Sequence, residues 1–352
     1  MADKNKKTYT VTFEPVGVEM EVEEGEVVLR AAFRQGIMLM HGCKEGQCSS
    51  CKSILREGDI DLLKYSTFAL PDHERQQDYV LLCRTQAYSD LVIELLTYDD
   101  ELLVGALPIK KLSAQITAIE ELTHDIRRLE LAVEDTFKFR AGHYVDITIP
   151  DKGVTRAYSM ASSPSTPNKL EFIIKLYPNG AFSSQLQDQL KVGDTLQIEG
   201  PYGTCFRREN QTGSIIMIGG GSGMAPLWSI LHDHLEKGDT DRPVTFFYGA
   251  RTKRDLFYLE QMAEISQQFP NFHFVPGLSH LENGDTWDGE QGFIHTVVDR
   301  YFKEKGLGAP EMEAYVCGPP PMIDALLPVL SRHGVHEEYT HVDKFTQALP
   351  TR

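Results

Sequence analysis

Four of the six cysteines stand in a pattern that can hold iron: Cys43, Cys48 and Cys51 in a C-x4-C-x2-C run, then Cys83 after 31 intervening residues. Four thiolates at this spacing bind a [2Fe–2S] cluster. Small neighbours (Gly42, Gly46, Ser49, Ser50) let backbone N–H groups point at the sulfurs and favour their negative charge. A structural zinc is the plain alternative, but zinc sites usually come as paired C-x2-C knuckles, and one half here is a single cysteine. Disulfides need an oxidising compartment, which nothing in the chain suggests. Cys205 and Cys317 are expected to stay reduced.

A second group of residues could handle phosphates. Gly219–Gly220–Gly221–Ser222–Gly223–Met224–Ala225–Pro226 follows the continuously apolar Ser214–Ile218 and precedes a helical pattern over Leu227–Leu235. Strand, glycine-rich turn and helix together let phosphates approach a helix N-terminus. The G-x-G-x-x-G fingerprint is not met, because Met224 and Pro226 stand where a third glycine would be sought. A glycine turn with no ligand is the bland reading.

Positioning these groups takes more than one domain, and 352 residues exceed what a single core normally supports. Hydrophobic content of 41% and charged content of 24% are those of a globular chain. Met1–Thr10 is polar and lysine-rich, without the apolar region of a signal peptide, and no apolar run approaches the ~20 residues of a membrane span. A cytoplasmic protein with no membrane association is expected. The net charge of −16 argues against nucleic acid as a partner, since phosphate contacts need clustered Lys and Arg. Between residues 8 and 100 there are 17 acidic side chains against 8 basic ones, a bias that could steer a basic partner or simply keep a surface solvated.

Residues 8–100 read as a compact β-rich domain. Thr8–Phe13 and Val18–Val22 alternate as strands around a turn at Pro15–Gly17, and Val27–Gly36 has the spacing of a short amphipathic helix. Strands are expected at Lys52–Leu55, Tyr79–Cys83 and Leu91–Leu95, with a polar stretch through Arg75. Residues 101–111, with Gly105 and Pro108, read as a linker. Residues 112–208 carry short alternating strands (Leu112–Glu120, Ile126–Leu131, Arg140–Ile147) with frequent turn residues, as in a small barrel or sandwich. Residues 209–352 alternate strands and helices, which predicts a parallel, Rossmann-like sheet.

Three stretches carry a family resemblance. The order strand–strand–helix–cysteine loop–strands resembles the β-grasp plant-type ferredoxin, with Ser49 replacing its usual Gly or Ala. Arg156–Ala157–Tyr158–Ser159, followed by Leu170–Tyr177, Asn179–Ser183 and Glu199–Gly203, is similar to the antiparallel FAD-binding barrel of the ferredoxin–NADP reductase superfamily. The glycine run and Cys317–Gly318–Pro319–Pro320–Pro321–Met322 resemble the GGGxGxxP and CGxxxM stretches of its nicotinamide domain. The resemblance implies that the rigid fork of Arg156 meets the flavin pyrophosphate. Tyr158 would pack on the isoalloxazine and Ser159 would lie near its N5. Lys175, Gly180, Ala181 and Ser183 are expected at the flavin. Gly220, Gly221, Gly223, Met224, Pro226 and Arg251 are expected at the dinucleotide, and Cys317 and Gly318 beside the nicotinamide. Ser159 and Cys317 would thus flank hydride transfer, Cys317 by shaping the site rather than as a nucleophile. Phe345 takes the near-terminal place of an aromatic by the flavin. A strand-end salt bridge for Arg156 and a buried structural thiol at Cys317 are the ordinary alternatives.

Ferredoxin, FAD and NAD modules in one chain imply an NAD(P)H-to-acceptor reductase. Flavin can accept a hydride and release electrons singly, and a [2Fe–2S] cluster carries one electron at a time. The N-terminal ferredoxin order resembles reductase components of soluble di-iron monooxygenases, the propane type ahead of the methane and phenol types. Reductases of ring-hydroxylating dioxygenases share that order. The expected partner is an oxygenase (hydroxylase) component. Taken alone, Arg251–Thr252–Lys253–Arg254–Asp255 favours NADPH, whereas the resemblance favours NADH, and NADH is the expected donor. A zinc-stapled interaction protein and a reductase releasing free flavin are alternatives of other classes. Cys48→Ser should abolish electron delivery to cytochrome c while sparing NADH-driven ferricyanide reduction at the flavin. Equal survival of both activities in a steady-state assay would rule out a route through the cysteines.

Overall fold

A computed structural model describes residues 7–104, 106–282, 284, 286–306 and 311–346. Gly105 of the expected linker, residues 1–6 and the residues after Thr346 lie outside the described residues. The described residues divide into two compact units, one up to residue 109 together with Thr346 and one from residue 110 to residue 345.

In the first unit β1 (Thr8–Glu14) and β2 (Val18–Glu23) form the expected hairpin, with Val11 opposite Met20 and Phe13 opposite Val18. Val11, Phe13, Met20 and Val22 point inward because alternate strand residues share one face. The amphipathic helix α1 (Val28–Arg34) buries Val28, Leu29, Ala31 and Ala32, and the chain turns out of it at Gly36, whose φ is 74°. Then follow β3 (Lys52–Glu57), β4 (Ile60–Leu62), α2 (Asp72–Arg75), β5 (Tyr79–Leu81), β6 (Thr85–Ala87) and β7 (Leu91–Leu95). The main sheet has the order β2-β1-β7-β3-β5, with β1 and β7 parallel, and β4 pairs separately with β6. The polar stretch through Arg75 is thus partly ordered into β4 and α2, elements too short for a hydrophobic period to show.

The segment 101–111 begins inside a short helix, α3 (Asp100–Val104). Its first turn is capped by Asp99, whose carboxylate accepts from the N–H groups of Glu101 (2.9 Å) and Leu102 (3.2 Å), and Leu102 is buried.

The second unit begins with β8 (Lys110–Thr123), β9 (Ile126–Val133), β10 (Tyr144–Ile149), β11 (Val154–Ser159), β12 (Lys169–Lys175), α4 (Ser183–Asp188) and β13 (Thr195–Tyr202). These strands make one antiparallel sheet of order β11-β10-β13-β8-β9-β12, and a further bridge from Met160 to Phe172 links its two ends. Arg140–His143 forms a turn rather than the start of β10, with His143 N–H bonded to the Arg140 carbonyl at 3.0 Å.

The chain continues with β14 (Ile215–Gly220), α5 (Met224–Glu236), β15 (Val244–Ala250), α6 (Leu259–Gln268), β16 (Phe272–Leu278), β17 (Glu290–Gln291), α7 (Ile294–Lys305), β18 (Glu313–Gly318), α8 (Pro320–Arg332) and β19 (Thr340–Lys344). Their sheet is wholly parallel, in the order β17-β16-β15-β14-β18-β19. Its central strands are apolar without alternation because both faces are covered.

The two sheets share a core. Ile126, Ala141, Ala161, Ile173 and Cys205 pack in one cluster with Met217, Leu227, Ile230 and Tyr315. Buried ion pairs reinforce it. Arg207 Nε donates to Asp233 at 2.7 Å, and Arg242 Nη2 to the fully buried Glu313 at 2.8 Å. Removing one partner of such a pair costs ~3–5 kcal/mol because the other charge stays buried.

His234 on α5 is fully buried, and neither ring nitrogen has a hydrogen-bond partner among the described residues. Burial holds its pKa down at about 4, against an opposing pull from Asp239. Below pH ~6.5 the unfolded chain therefore takes up a proton that the folded chain refuses until about pH 4. Stability contributed above pH ~6.5 is lost as the pH falls through that window. His234→Leu should flatten the drop in Tm between pH 7.5 and pH 5, read by differential scanning fluorimetry. An unchanged drop would contradict it.

Candidate functional site

Cys43, Cys48 and Cys51, on the loop between α1 and β3, form a cradle with Cys83, which follows β5. Three left-handed residues, Lys44 (φ 56°), Gly46 (φ 71°) and Ser49 (φ 64°), wind the loop into a pocket for its own sulfurs. Cys43 N–H donates to Cys48 Sγ at 3.2 Å, and Glu45 and Gln47 N–H donate to Cys43 Sγ at 3.4 and 3.3 Å. A Cβ at Gly42 would stand 3.0 Å from Cys48 Sγ, so glycine lets the chain approach this closely. Ser49 tolerates its left-handed backbone with its hydroxyl anchored to the Ala69 carbonyl at 3.0 Å. Leu82 N–H bonds the Cys51 carbonyl at 3.1 Å, holding the segment that carries Cys83 against the loop.

The thiols behave as a crowded set. A hydrogen bond from Cys43, aided by amide donors, pulls Cys48 down to about 5. The same partnership pushes Cys43 far up, as Cys51 does Cys83, with burial adding to both. Four thiolates this close cannot all be ionised unless cations sit among them. The donor set therefore fits a [2Fe–2S] cluster, whose irons would supply that charge.

On the antiparallel sheet, β11 presents Arg156, Tyr158 and Ser159. Arg156 Nη1 donates to the Thr155 carbonyl at 2.7 Å. No described carboxylate pairs with Arg156, so the strand-end salt bridge is not its use. Tyr158 leans on Phe182 (ring centres 4.9 Å apart), and burial raises its phenol pKa. Gly180 and Ala181 lead into α4, and the Ser183 hydroxyl closes that turn by bonding the backbone of Tyr177 at 3.1 and 3.2 Å. The Lys175 ammonium rests on Asp125.

The glycine run caps β14. A Cβ at Gly223 would sit 2.2 Å from the Cys317 carbonyl oxygen, and one at Gly220 2.9 Å from Met322 Sδ. Gly221 (φ 56°) has nothing within 4 Å of its would-be Cβ, which leaves its backbone open to a close ligand. Met224 and Pro226 are buried in the first turn of α5. Pro226 has no N–H to offer, so these two shape the turn rather than reach into the open space. Arg251 is exposed beyond β15, and the one acid of its loop, Asp255, is occupied by a capping box with Thr252 N–H (2.8 Å) and Oγ1 (2.7 Å).

Cys317 is fully buried at the end of β18, its Sγ 3.8 Å from Cys205 Sγ, and burial pushes its thiol pKa up. Gly318 follows at φ 151°, and its carbonyl accepts the Phe345 N–H at 2.9 Å. Asp343 of β19 lies in register with Cys317 and accepts a hydrogen bond from the Ser159 hydroxyl at 3.0 Å. Ser159, Asp343, Cys317, Gly318 and Phe345 therefore meet where the two sheets join. Sequence reasoning missed Asp343. The available signal was an acid two places before Phe345 in Val342–Asp343–Lys344–Phe345.

A thiol cradle, an antiparallel sheet with an unpaired arginine and a parallel sheet with a glycine-rich phosphate turn define an iron–sulfur flavoprotein oxidoreductase. Family models agree: a 2Fe-2S iron-sulfur cluster binding domain matches residues 11–88, an oxidoreductase FAD-binding domain residues 113–206, and an oxidoreductase NAD-binding domain residues 217–327. The chain belongs to the family of reductase components of multicomponent monooxygenases, ferredoxin–NADP reductase-type enzymes with an N-terminal 2Fe–2S ferredoxin domain. It is 45% identical over 341 residues to the propane 2-monooxygenase reductase component of Gordonia sp., covering 96% of this chain and 97% of the relative. It is 38% identical to the phenol 2-monooxygenase reductase component of Pseudomonas sp., over 97% and 95% of the two chains. The crystal structure of an Amycolatopsis cytochrome P450 reductase superposes with a TM-score of 0.84 at 28% identity, over 97% of this chain and 100% of that one. The protein is an electron-transfer reductase with [2Fe–2S], FAD and NAD(H) as its cofactors. Among the described residues no helix is long and apolar enough to cross a membrane.

Because Gly223 admits no side chain against the Cys317 carbonyl, Gly223→Ala should raise KM for NADH about tenfold or more with flavin content unchanged. Stopped-flow flavin bleaching and the flavin-to-protein absorbance ratio would check this, and an unaltered KM would contradict it.

Proposed function

We propose that this chain takes a hydride from NADH onto FAD and passes single electrons through its [2Fe–2S] cluster to the di-iron hydroxylase of a hydrocarbon monooxygenase, propane being the favoured substrate of that partner. The reading rests on one conjunction: a four-thiol cradle and both cofactor sheets in a chain 45% identical to a propane 2-monooxygenase reductase component along nearly its whole length. Bound flavin supplies the exchange between a two-electron donor and a one-electron acceptor.

The chain's own residues hold and orient. Cys43, Cys48, Cys51 and Cys83 ligate the irons. Arg156, free of any described carboxylate, is suited to a pyrophosphate, and the main chain at Gly180, Ala181 and Ser183 would offer it N–H donors at the start of α4. Tyr158 offers an apolar ring with a phenol kept neutral. Ser159 donates to Asp343, so this pair can hold a proton at the Ser159 oxygen where the two sheets join. Gly220, Gly221 and Gly223 let the dinucleotide phosphates reach the start of α5. Cys317, Gly318 and Phe345 form the wall of the nicotinamide cleft, and Arg251 faces the ribose end.

In this reading the antiparallel sheet closes as a barrel on the flavin and the parallel sheet is Rossmann-like. The working domains are 8–100, 112–208 and 209–352, and the protein acts in the cytoplasm. NADH is the donor despite the basic Arg251–Arg254 stretch.

Anaerobic titration with NADH and, separately, NADPH, followed by absorbance and low-temperature EPR, tests the scheme. Flavin bleaching and a rhombic reduced-cluster signal with NADH alone are expected. Reduction by NADPH alone would reassign Arg251–Arg254 to a 2′-phosphate. No cluster signal even with dithionite would overturn the cluster assignment and favour zinc.

A further inference from the structure

Arg84 follows the ligand Cys83, and its main chain is fixed on both sides. Its N–H donates to the Leu81 carbonyl at 2.7 Å, and its own carbonyl accepts from Leu63 N–H at 2.8 Å. The side chain folds over the middle of the cysteine loop. A Cβ at Gly46, between Cys43 and Cys48, would lie 2.8 Å from Arg84 Cγ and 3.2 Å from its Cδ, with Tyr65 Cβ also at 2.8 Å. Glycine at 46 therefore makes the seat in which the arginine stem lies.

The guanidinium at the end of that stem is oddly placed for a surface arginine. Its Nε is shut off from solvent and has no hydrogen-bond partner, the sole such buried side-chain atom among the described residues of the first unit. No described carboxylate pairs with it, although acidic side chains outnumber basic ones two to one in this segment. Burying a charged N–H without an acceptor is unfavourable, so a group in place during function should accept from it. The anionic group that belongs beside Gly46 is the iron–sulfur cluster, whose sulfurs are acceptors.

We propose that Arg84 is a charge-tuning residue for the cluster: its Nε–H donates to a cluster sulfur and its fixed positive charge raises the cluster's reduction potential. This rests on the cluster reading above. Reduction adds one negative charge to the cluster, and a nearby cation that stays protonated favours that added charge. An acceptor raised in this way draws electrons from the flavin more completely.

EPR-monitored redox titration of the holoprotein and of Arg84→Gln and Arg84→Lys tests the idea. Arg84→Gln should lower the midpoint, by about tenfold in the one-electron equilibrium (~59 mV), while Arg84→Lys retains most of the wild-type value. A wild-type midpoint in Arg84→Gln with an intact EPR signal would overturn the proposal but leave the cluster reading standing. No EPR signal in the wild-type protein would defeat the cluster reading itself. Should Arg84→Gln fail to assemble a cluster, assembly in Arg84→Lys supports the charge, and failure of both assigns Arg84 to the fold alone and overturns the proposal.

Discussion

The hydrogen bond from Ser159 to Asp343 joins two sheets through residues 184 apart in sequence, and it exists only because those sheets share a core. Ser159 closes an antiparallel strand and Asp343 lies on the edge strand of the parallel sheet. Their meeting depends on the apolar cluster that includes Ala161, Cys205, Leu227 and Tyr315, and on the Arg207–Asp233 pair beside it. Apolar burial supplies the drive and the buried charges fix the orientation, since a misaligned pair would leave an uncompensated ion. Hydride transfer demands a fixed distance between donor and acceptor, and a joint of this kind can hold one.

The cysteine cradle meets a different constraint. Its thiols repel one another as thiolates, and its loop uses left-handed backbone at Lys44, Gly46 and Ser49 to gather amide donors around them. Such an arrangement is unfavourable for an empty loop and becomes favourable with iron inside, so metal loading and folding of this segment are coupled.

Much of this was legible in the sequence. The spacing of Cys43, Cys48, Cys51 and Cys83 named the cluster, and the alternation in Thr8–Phe13 and the apolar run Ser214–Ile218 placed strands that the structure contains. Legibility failed where elements were short or were made by a cap. The helix at Asp100–Val104 is set by the Asp99 side chain rather than by a hydrophobic period, and the strands Ile60–Leu62 and Thr85–Ala87 are held by each other. The contact of Lys175 with Asp125 brings together positions 50 residues apart and leaves no local trace.

By itself the sequence determined the ligand set, the module order and the chemistry they permit, because metal-ligand spacing and glycine-rich turns are local and their constraints act within a few residues. Only the tertiary structure decided that Asp343 partners Ser159, that Asp125 engages Lys175, and that the Cys317 thiol is sealed from solvent. These are outcomes of packing between distant segments, where burial and pairing depend on what the rest of the chain brings alongside.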